Sequence, residues 1–254
     1  MRKSIKAIIC AASAAVVCAA PTVATFAGTA ATTAITAEAA SDNVASITKN
    51  SKGQEIAILN NLVYEFDLSA RKAVLAGRYS NRTEISSPAT VIIKGVECKV
   101  KEVKDGAFRN GSSIKKVDLS GCTYLERIGN YAFESTTSTT IKLNTKLQTI
   151  GVGAFKGTNV SEVTIPGGTT LVANSAFMNC RYLNYVFFQS ASVAGLNVDT
   201  PLKIQNSAFA NDSKLTRVNT YRKKYNIEPG AFTGTNITSY EGVGRNDFAS
   251  QYKK

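Results

Sequence analysis

The dipeptide Ala-Phe occurs six times in this chain, at Ala107-Phe108, Ala132-Phe133, Ala154-Phe155, Ala176-Phe177, Ala208-Phe209 and Ala231-Phe232. The phenylalanines are 25, 22, 22, 32 and 23 residues apart. Five residues before each stands a β-branched aliphatic: Val103, Ile128, Ile150, Val172, Ile204 and Ile227. Five or six residues after each begins a triplet spaced +3 and +2: Ile114/Val117/Leu119, Ser138/Ile141/Leu143, Val160/Val163/Ile165, Leu183/Val186/Phe188, Leu215/Val218/Thr220 and Ile237/Tyr240/Gly242. The middle position is apolar or aromatic in all six, and a +2 step puts both side chains on one face of a strand. Chance does not supply six such matches in register. Repetition at this spacing marks an architecture of stacked units.

One unit of this length cannot bury its apolar side alone. Stacked, the Val/Leu pairs form one wall of a continuous core, and the Ile/Val and Phe anchors form the other. Gly106, Gly153 and Gly230 precede the Ala in three repeats, as a tight turn requires. No segment shows a long 3.6-residue period, so the expectation is β-rich with few helices.

The Leu-xx-Leu-x-Leu spacing is similar to that of leucine-rich repeats. The element Ile150-Gly151-Val152-Gly153-Ala154-Phe155 and the strand Val163-Thr164-Ile165-Pro166 resemble the BspA-like (type 5) bacterial class of that family. The resemblance covers residues 100–244. It implies a mostly β, right-handed leucine-rich-repeat solenoid of about six repeats with an N-terminal β-hairpin cap. It also implies adhesion to host matrix proteins, host cells or other bacteria. The sequence departs from the pattern in three places. Only one repeat keeps the Pro, the fourth carries a ten-residue excess around residues 191–201, and the last triplet decays to Tyr240 and Gly242.

Outside the repeats, residues 1–40 read as a secretory signal peptide: Arg2, Lys3 and Lys6, an apolar run over 7–20, then Ala37-Glu38-Ala39 as the small-x-small cleavage pattern. No membrane span is expected after its removal, and a secreted or cell-surface location follows. Residues 41–53 are polar and read as a linker. Residues 54–102 read as an N-terminal β cap of two hairpins, around 69–72 and 94–95, covering the first open edge of the stack. The repeats are assigned to 103–244. Residues 245–254 read as a C-terminal tail without a cell-wall sorting motif or apolar anchor.

Composition excludes much chemistry. The chain has no His and no Trp. A Ser-His-Asp or Cys-His pair and an imidazole metal site are therefore absent. Walker, Rossmann and nucleophile-elbow motifs are missing as well. Cys98, Cys122 and Cys180 are an odd number, too widely spaced for a zinc clip, and read as buried thiols. The expectation is a protein that is not an enzyme, with no cofactor and no metal.

A ligand would meet the outward positions of successive strands, which line up in a solenoid. These are Lys116/Asp118, Thr140/Lys142, Glu162/Thr164, Tyr185/Phe187, Arg217/Asn219 and Ser239/Glu241. The fourth pair is aromatic twice over. One repeat later come Arg217, Tyr221, Arg222, Lys223 and Lys224, and aromatics among arginines are the composition of binding hot spots. Tyr185, Phe187, Arg217, Tyr221, Arg222, Lys223 and Lys224 are therefore the candidate ligand-binding residues. The alternative is that the excess at 191–201 folds back over Tyr185 and Phe187. The whole chain carries +12. Of the +10 left without residues 1–40, +5 falls in 181–254. The expected partner is an extracellular protein or an anionic glycan. The export signal argues against nucleic acid. A carbohydrate- or cell-wall-polymer-binding module is the competing reading.

Overall fold

The computed structural model describes residues 43–197 and 199–252; the expected export signal at 1–40 lies outside them. The chain begins as an antiparallel meander of β1 (Ser46–Lys49), β2 (Glu55–Leu59), β3 (Leu62–Asp67) and β4 (Lys72–Arg78). β5 (Glu84–Ser86) follows, then the hairpin of β6 (Thr90–Ile93) and β7 (Val96–Val103). Residues 46–49, expected within a linker, thus form an edge strand paired along its whole length with β2. β4 does more than cap: it pairs in parallel with β7, and β5 pairs in parallel with the first repeat strand. Together β4 and β5 make a turn of the solenoid that carries no Ala-Phe.

From β7 onward the strands alternate between two faces. One face carries β8 (Lys116–Asp118), β10 (Thr140–Lys142), β12 (Glu162–Ile165), β14 (Tyr185–Phe188), β16 (Arg217–Thr220) and β18 (Ser239–Glu241). The other carries β9 (Arg127–Ile128), β11 (Thr149–Ile150), β13 (Leu171–Val172), β15 (Leu202–Ile204) and β17 (Tyr225–Ile227), parallel neighbours that continue β7 in one sheet. Val103, Ile128, Ile150, Val172, Ile204 and Ile227 come from this second face into the core and are all buried.

The Ala-Phe dipeptide has a geometric cause. The N–H of each Phe donates to the Ala carbonyl of the next repeat, from Phe108 to Ala132 (2.7 Å) through Phe209 to Ala231 (2.8 Å). Neighbouring backbones approach closely there, and Ala132, Ala154, Ala176 and Ala208 have no exposed surface. The six rings stack in one column, with centroids 5.0–5.2 Å apart and planes within 14° of parallel. Such pairs add about 0.5–1.5 kcal/mol each beyond area burial. The residue before each Ala is left-handed in every repeat: Gly106, Gly153 and Gly230, but also Tyr131, Ser175 and Ser207, at φ of 55–79°. The second residue after each Phe repeats this, at Asn110, Ser135, Gly157, Asn179, Asn211 and Gly234.

The tail expected at 245–254 contains a helix, α1 (Arg245–Tyr252), that closes the last edge. Phe248 is fully buried, 5.3 Å from Phe232, and Tyr252 lies 6.0 Å from Phe232, so α1 ends the ring column. Asp247 and Gln251 accept from the N–H groups of Tyr225 (2.6 Å) and Ile227 (3.1 Å), and Gln251 donates to the Tyr225 carbonyl. One helical turn of side chains thus supplies bonds that a further strand would have made to β17.

The ten-residue excess forms a short 3-10 turn at Ala191–Ala194. It lies against the Pro166–Gly168 turn one repeat earlier, where Gly167 has no room for a side chain: a Cβ would stand 2.2 Å from the Ser190 carbonyl oxygen. Arg222 fastens the loop from below. Its guanidinium donates to the carbonyls of Gly167 (2.9 Å), Thr169 and Thr200 (3.3 Å).

Candidate functional site

Parallel register converts the outward positions of the strand face into rows. Glu162, Tyr185, Arg217 and Ser239 stand side by side, and so do Thr164, Phe187, Asn219 and Glu241. Val186 and Phe188, the other alternation phase of β14, are fully buried. Tyr185 and Phe187 are half-buried. Their ring contacts run across to the next repeat. The Arg217 guanidinium lies 4.7 Å from the Tyr185 centroid, and the Tyr221 ring meets Phe187 edge-on at 5.4 Å. A third pair continues the line, with the Lys214 ammonium 5.0 Å over the Tyr182 ring. Tyr182 and Tyr221 are 52% and 45% exposed, so the strip faces solvent. Burial pushes the Tyr185 phenol above its ordinary value, and Arg217 acts against that shift.

The structure places Tyr185, Phe187, Arg217 and Tyr221 side by side, with Lys223 and Lys224 exposed just beyond. Tyr182 and Lys214 join the strip although neither is among the residues expected there; their spacing of three from Tyr185 and Arg217 carries the signal. Arg222 requires a correction: it is 1% exposed and bonded to backbone carbonyls, so it is no surface cation. Val218, Thr220 and Arg222 alternate into the protein, and all three are buried.

Charge is distributed unevenly along the stack. Among the described residues, ten of the eleven ion pairs join residues between 55 and 156, including Lys116–Glu84 (2.6 Å) and Arg127–Glu102 (2.5 Å). Among the described residues of the later repeats only Lys203 and Glu228 pair. Among the described residues, Arg181, Lys214, Arg217, Lys223 and Lys224 have no carboxylate within ion-pair distance. Half of the +10 thus falls in 181–254, and among the described residues there most of the cations are unpaired.

The described cysteines and Asp212 are buried. Cys98, Cys122 and Cys180 are buried and free, and burial pushes their thiols up, to about 11 for Cys122 and about 12 for Cys180. A thiol so raised is not a thiolate near neutrality. Cys122 donates to the Ser87 carbonyl, and Cys180 bonds Thr158. Asp212 stands in the repeat position of Cys180, has no exposed surface and accepts from the Cys180 N–H (2.7 Å). Burial raises its carboxyl to about 9. Among the described residues no cluster of His, Cys, Asp or Glu could hold a metal ion, and no helix is long and apolar enough to cross a membrane.

Comparison with known proteins places these features in context. The family described as BspA type Leucine rich repeat region matches residues 89–184 and 181–248, in six copies. No curated protein matches the chain. Among solved structures, the pneumococcal vaccine antigen PcpA is 17% identical with a TM-score of 0.56, over 80% of this chain and 51% of that one. A leucine-rich repeat protein from Bacteroides ovatus is 21% identical with a TM-score of 0.49, over 72% of this chain and 52% of that one. The T. pallidum leucine-rich repeat protein TpLRR is 19% identical with a TM-score of 0.48, over 75% and 93%. The chain spans about half the length of the first two. At these identities the likeness to PcpA shows a shared fold.

Proposed function

Since the chain belongs to the BspA-type leucine-rich repeat family, we propose that it is a non-enzymatic binding protein. In this reading it holds an extracellular protein partner on its repeat strand face, at the cell surface or after secretion. The observation that carries the reading is the strip Tyr182·Lys214, Tyr185·Arg217 and Phe187·Tyr221 between the fourth and fifth repeats. Large aromatic rings and a guanidinium in an exposed row are the side chains that concentrate binding energy at interfaces. The rings are held by cross-repeat contacts, so little side-chain entropy is lost on binding. The cations carry no carboxylate of their own, which selects a partner with acidic groups at matching places. Adhesion is the biological form this binding takes, and the signal peptide at 1–40 provides export.

The test is an array of purified matrix proteins and of neutral and sulfated glycans, probed at low and high salt. A protein partner anchored by the aromatic strip is expected to survive the rise in salt with modest loss. Binding confined to sulfated glycans, with affinity collapsing as salt rises, would instead support the polymer-binding reading. No binding to any protein on the array counts against the proposal.

A further inference from the structure

The second residue after each Phe forms a column of its own: Asn110, Ser135, Gly157, Asn179, Asn211 and Gly234, one left-handed turn per repeat. Backbone bonds fix the middle of this column. The N–H groups of Ser135, Gly157 and Asn179 donate to the carbonyls of Lys156 (2.8 Å), Met178 (2.9 Å) and Ala210 (2.9 Å). The side chains begin a ladder, in which the Asn211 amide donates to the Asn179 Oδ1 at 3.2 Å. The next rung, from the Asn179 amide toward the preceding repeat, needs an acceptor at position 157, and glycine has no side chain to supply one. The two glycines of the column differ in their surroundings. A Cβ on Gly234 would stand 2.9 Å from the Asn211 Oδ1, whereas on Gly157 the nearest atom would be the Ser135 Oγ at 3.7 Å. The missing rung therefore leaves open space. A surface cavity of about 390 Å³ lies there, bordered by Ser135, Lys156, Gly157, Asn159, Asn179 and Arg181, with the buried Glu134 also in its wall.

Charge and donor chemistry decide what fits this gap. The Glu134 side chain is 9% exposed and already held by Arg109 (2.6 Å) and Lys156 (3.4 Å). Arg181 is exposed and, among the described residues, has no carboxylate within ion-pair distance. Three cations thus surround one carboxylate. The groups bordering the gap include an amide, a hydroxyl, an ammonium and a guanidinium, all able to donate. Ser135 and Asn179 stand two repeats apart, with 5.2 Å per repeat in the adjoining ring column. Hydrogen bonds of about 2.8 Å at either end leave between them the width of one small group.

We propose that the gap at Gly157 is a binding site for a tetrahedral oxyanion, a sulfate or phosphate group, free or esterified to a sugar. Such a group has oxygens on every side for donors that come from different directions. It supplies the acceptor that Asn179 lacks at position 157, and it meets the unpaired charge of Arg181, whose planar fork matches it. A carboxylate has two oxygens in one plane and reaches fewer of these donors. The site goes beyond the protein-binding reading and shares no residue with the aromatic strip.

The experiment is an amide-shift NMR titration of the protein with sodium sulfate, sodium phosphate, glucose phosphate and galactose sulfate, against sodium chloride at matched ionic strength. At least one is expected to bind saturably with millimolar affinity, shifting the backbone amides of Ser135, Gly157 and Asn179 and the Asn179 side-chain amide. An ester that binds about tenfold tighter than its free ion identifies the sugar-borne group as the ligand. Gly157→Asn fills the gap and restores the rung. Asn adopts the same left-handed backbone at 110, 179 and 211, and its Cβ has room, so the fold is retained. Binding should fall by about tenfold or more in this variant, and by about tenfold in Arg181→Gln. Tyr185→Ser/Phe187→Ser should leave anion binding unchanged, so failure of this site and failure of the strip are told apart. Shifts no larger than those from chloride up to about 50 mM anion would overturn the proposal. So would shifts that persist in both Gly157→Asn and Arg181→Gln, or acetate that binds as tightly as sulfate and phosphate.

Discussion

Replacing Phe155 by Ala tests the stacking account quantitatively. The ring is fully buried and lies between Phe133 and Phe177, 5.2 Å from each. Truncating a buried Phe costs about 3–5 kcal/mol, transfer and cavity terms together. Within that figure, two lost ring pairs account for about 1–3 kcal/mol. The flanking backbones are bonded through Ala154 and Ala176, so the cavity cannot collapse easily and the upper half of the range is expected. For a domain of this size about 4 kcal/mol corresponds to a fall in Tm of roughly 8–16 °C. Phe155→Leu retains most of the volume but none of the stacking and should fall between Ala and wild type. Urea unfolding followed by circular dichroism gives the free energies, and calorimetry gives Tm. Because each repeat contacts only its neighbours, a break in the middle should also broaden the transition or split it. A cost below about 1 kcal/mol for Phe155→Ala, with the transition unchanged, would refute the claim that the column holds the repeats together.

Three further outcomes follow from single sites. Ser175→Gly relieves a left-handed backbone (φ 57°) at a position that is Gly in three other repeats, and should stabilise by about 0.5–1 kcal/mol in urea melts, after the entropy cost of Gly is subtracted. Arg222→Met strips the carbonyls of Gly167, Thr169 and Thr200 of their donor. It should destabilise by about 2–3 kcal/mol and accelerate amide exchange in residues 191–197 ahead of the rest of the chain. Asp212 titrates near pH 9 when folded and near its ordinary acid value when unfolded. Its contribution is complete below about pH 4 and is lost as pH rises toward 9, with a slope of up to about 1.4 kcal/mol per pH unit. Asp212→Asn keeps the acceptor for the Cys180 N–H and should flatten Tm against pH between 5 and 9; an unchanged slope would show that Asp212 is not the titrating group.

The repeat could be read from the sequence because stacking imposes the same residue types at the same places. Val103, Ile128 and their successors had to be β-branched and buried, and each Ala had to be small. Features made by unlike parts were less visible. β4 and β5 form a turn of the solenoid without an Ala-Phe, so pattern alone assigned them to a separate cap. α1 closes the edge through Asp247/Gln251 and Phe248/Tyr252, two i,i+4 pairs too brief to show a helical period. The left-handed positions were seen only where Gly marked them; Tyr131, Ser175 and Ser207 adopt that backbone because the neighbouring repeats enforce it. Arg222 reads as a surface cation from its neighbours Lys223 and Lys224, yet strand alternation from Val218 directs it inward, where it is buried.

The aromatic strip is tested most directly by the double variant Tyr185→Ser/Phe187→Ser, measured by surface plasmon resonance against the protein partner found on the array. Both side chains are half-buried and outside the core phase. The variant should therefore keep its circular dichroism spectrum and lose only a few degrees of Tm. Affinity should fall by tenfold or more, about 1.4 kcal/mol at the least. Unchanged affinity in the folded variant would contradict the assignment of this strip as the binding surface.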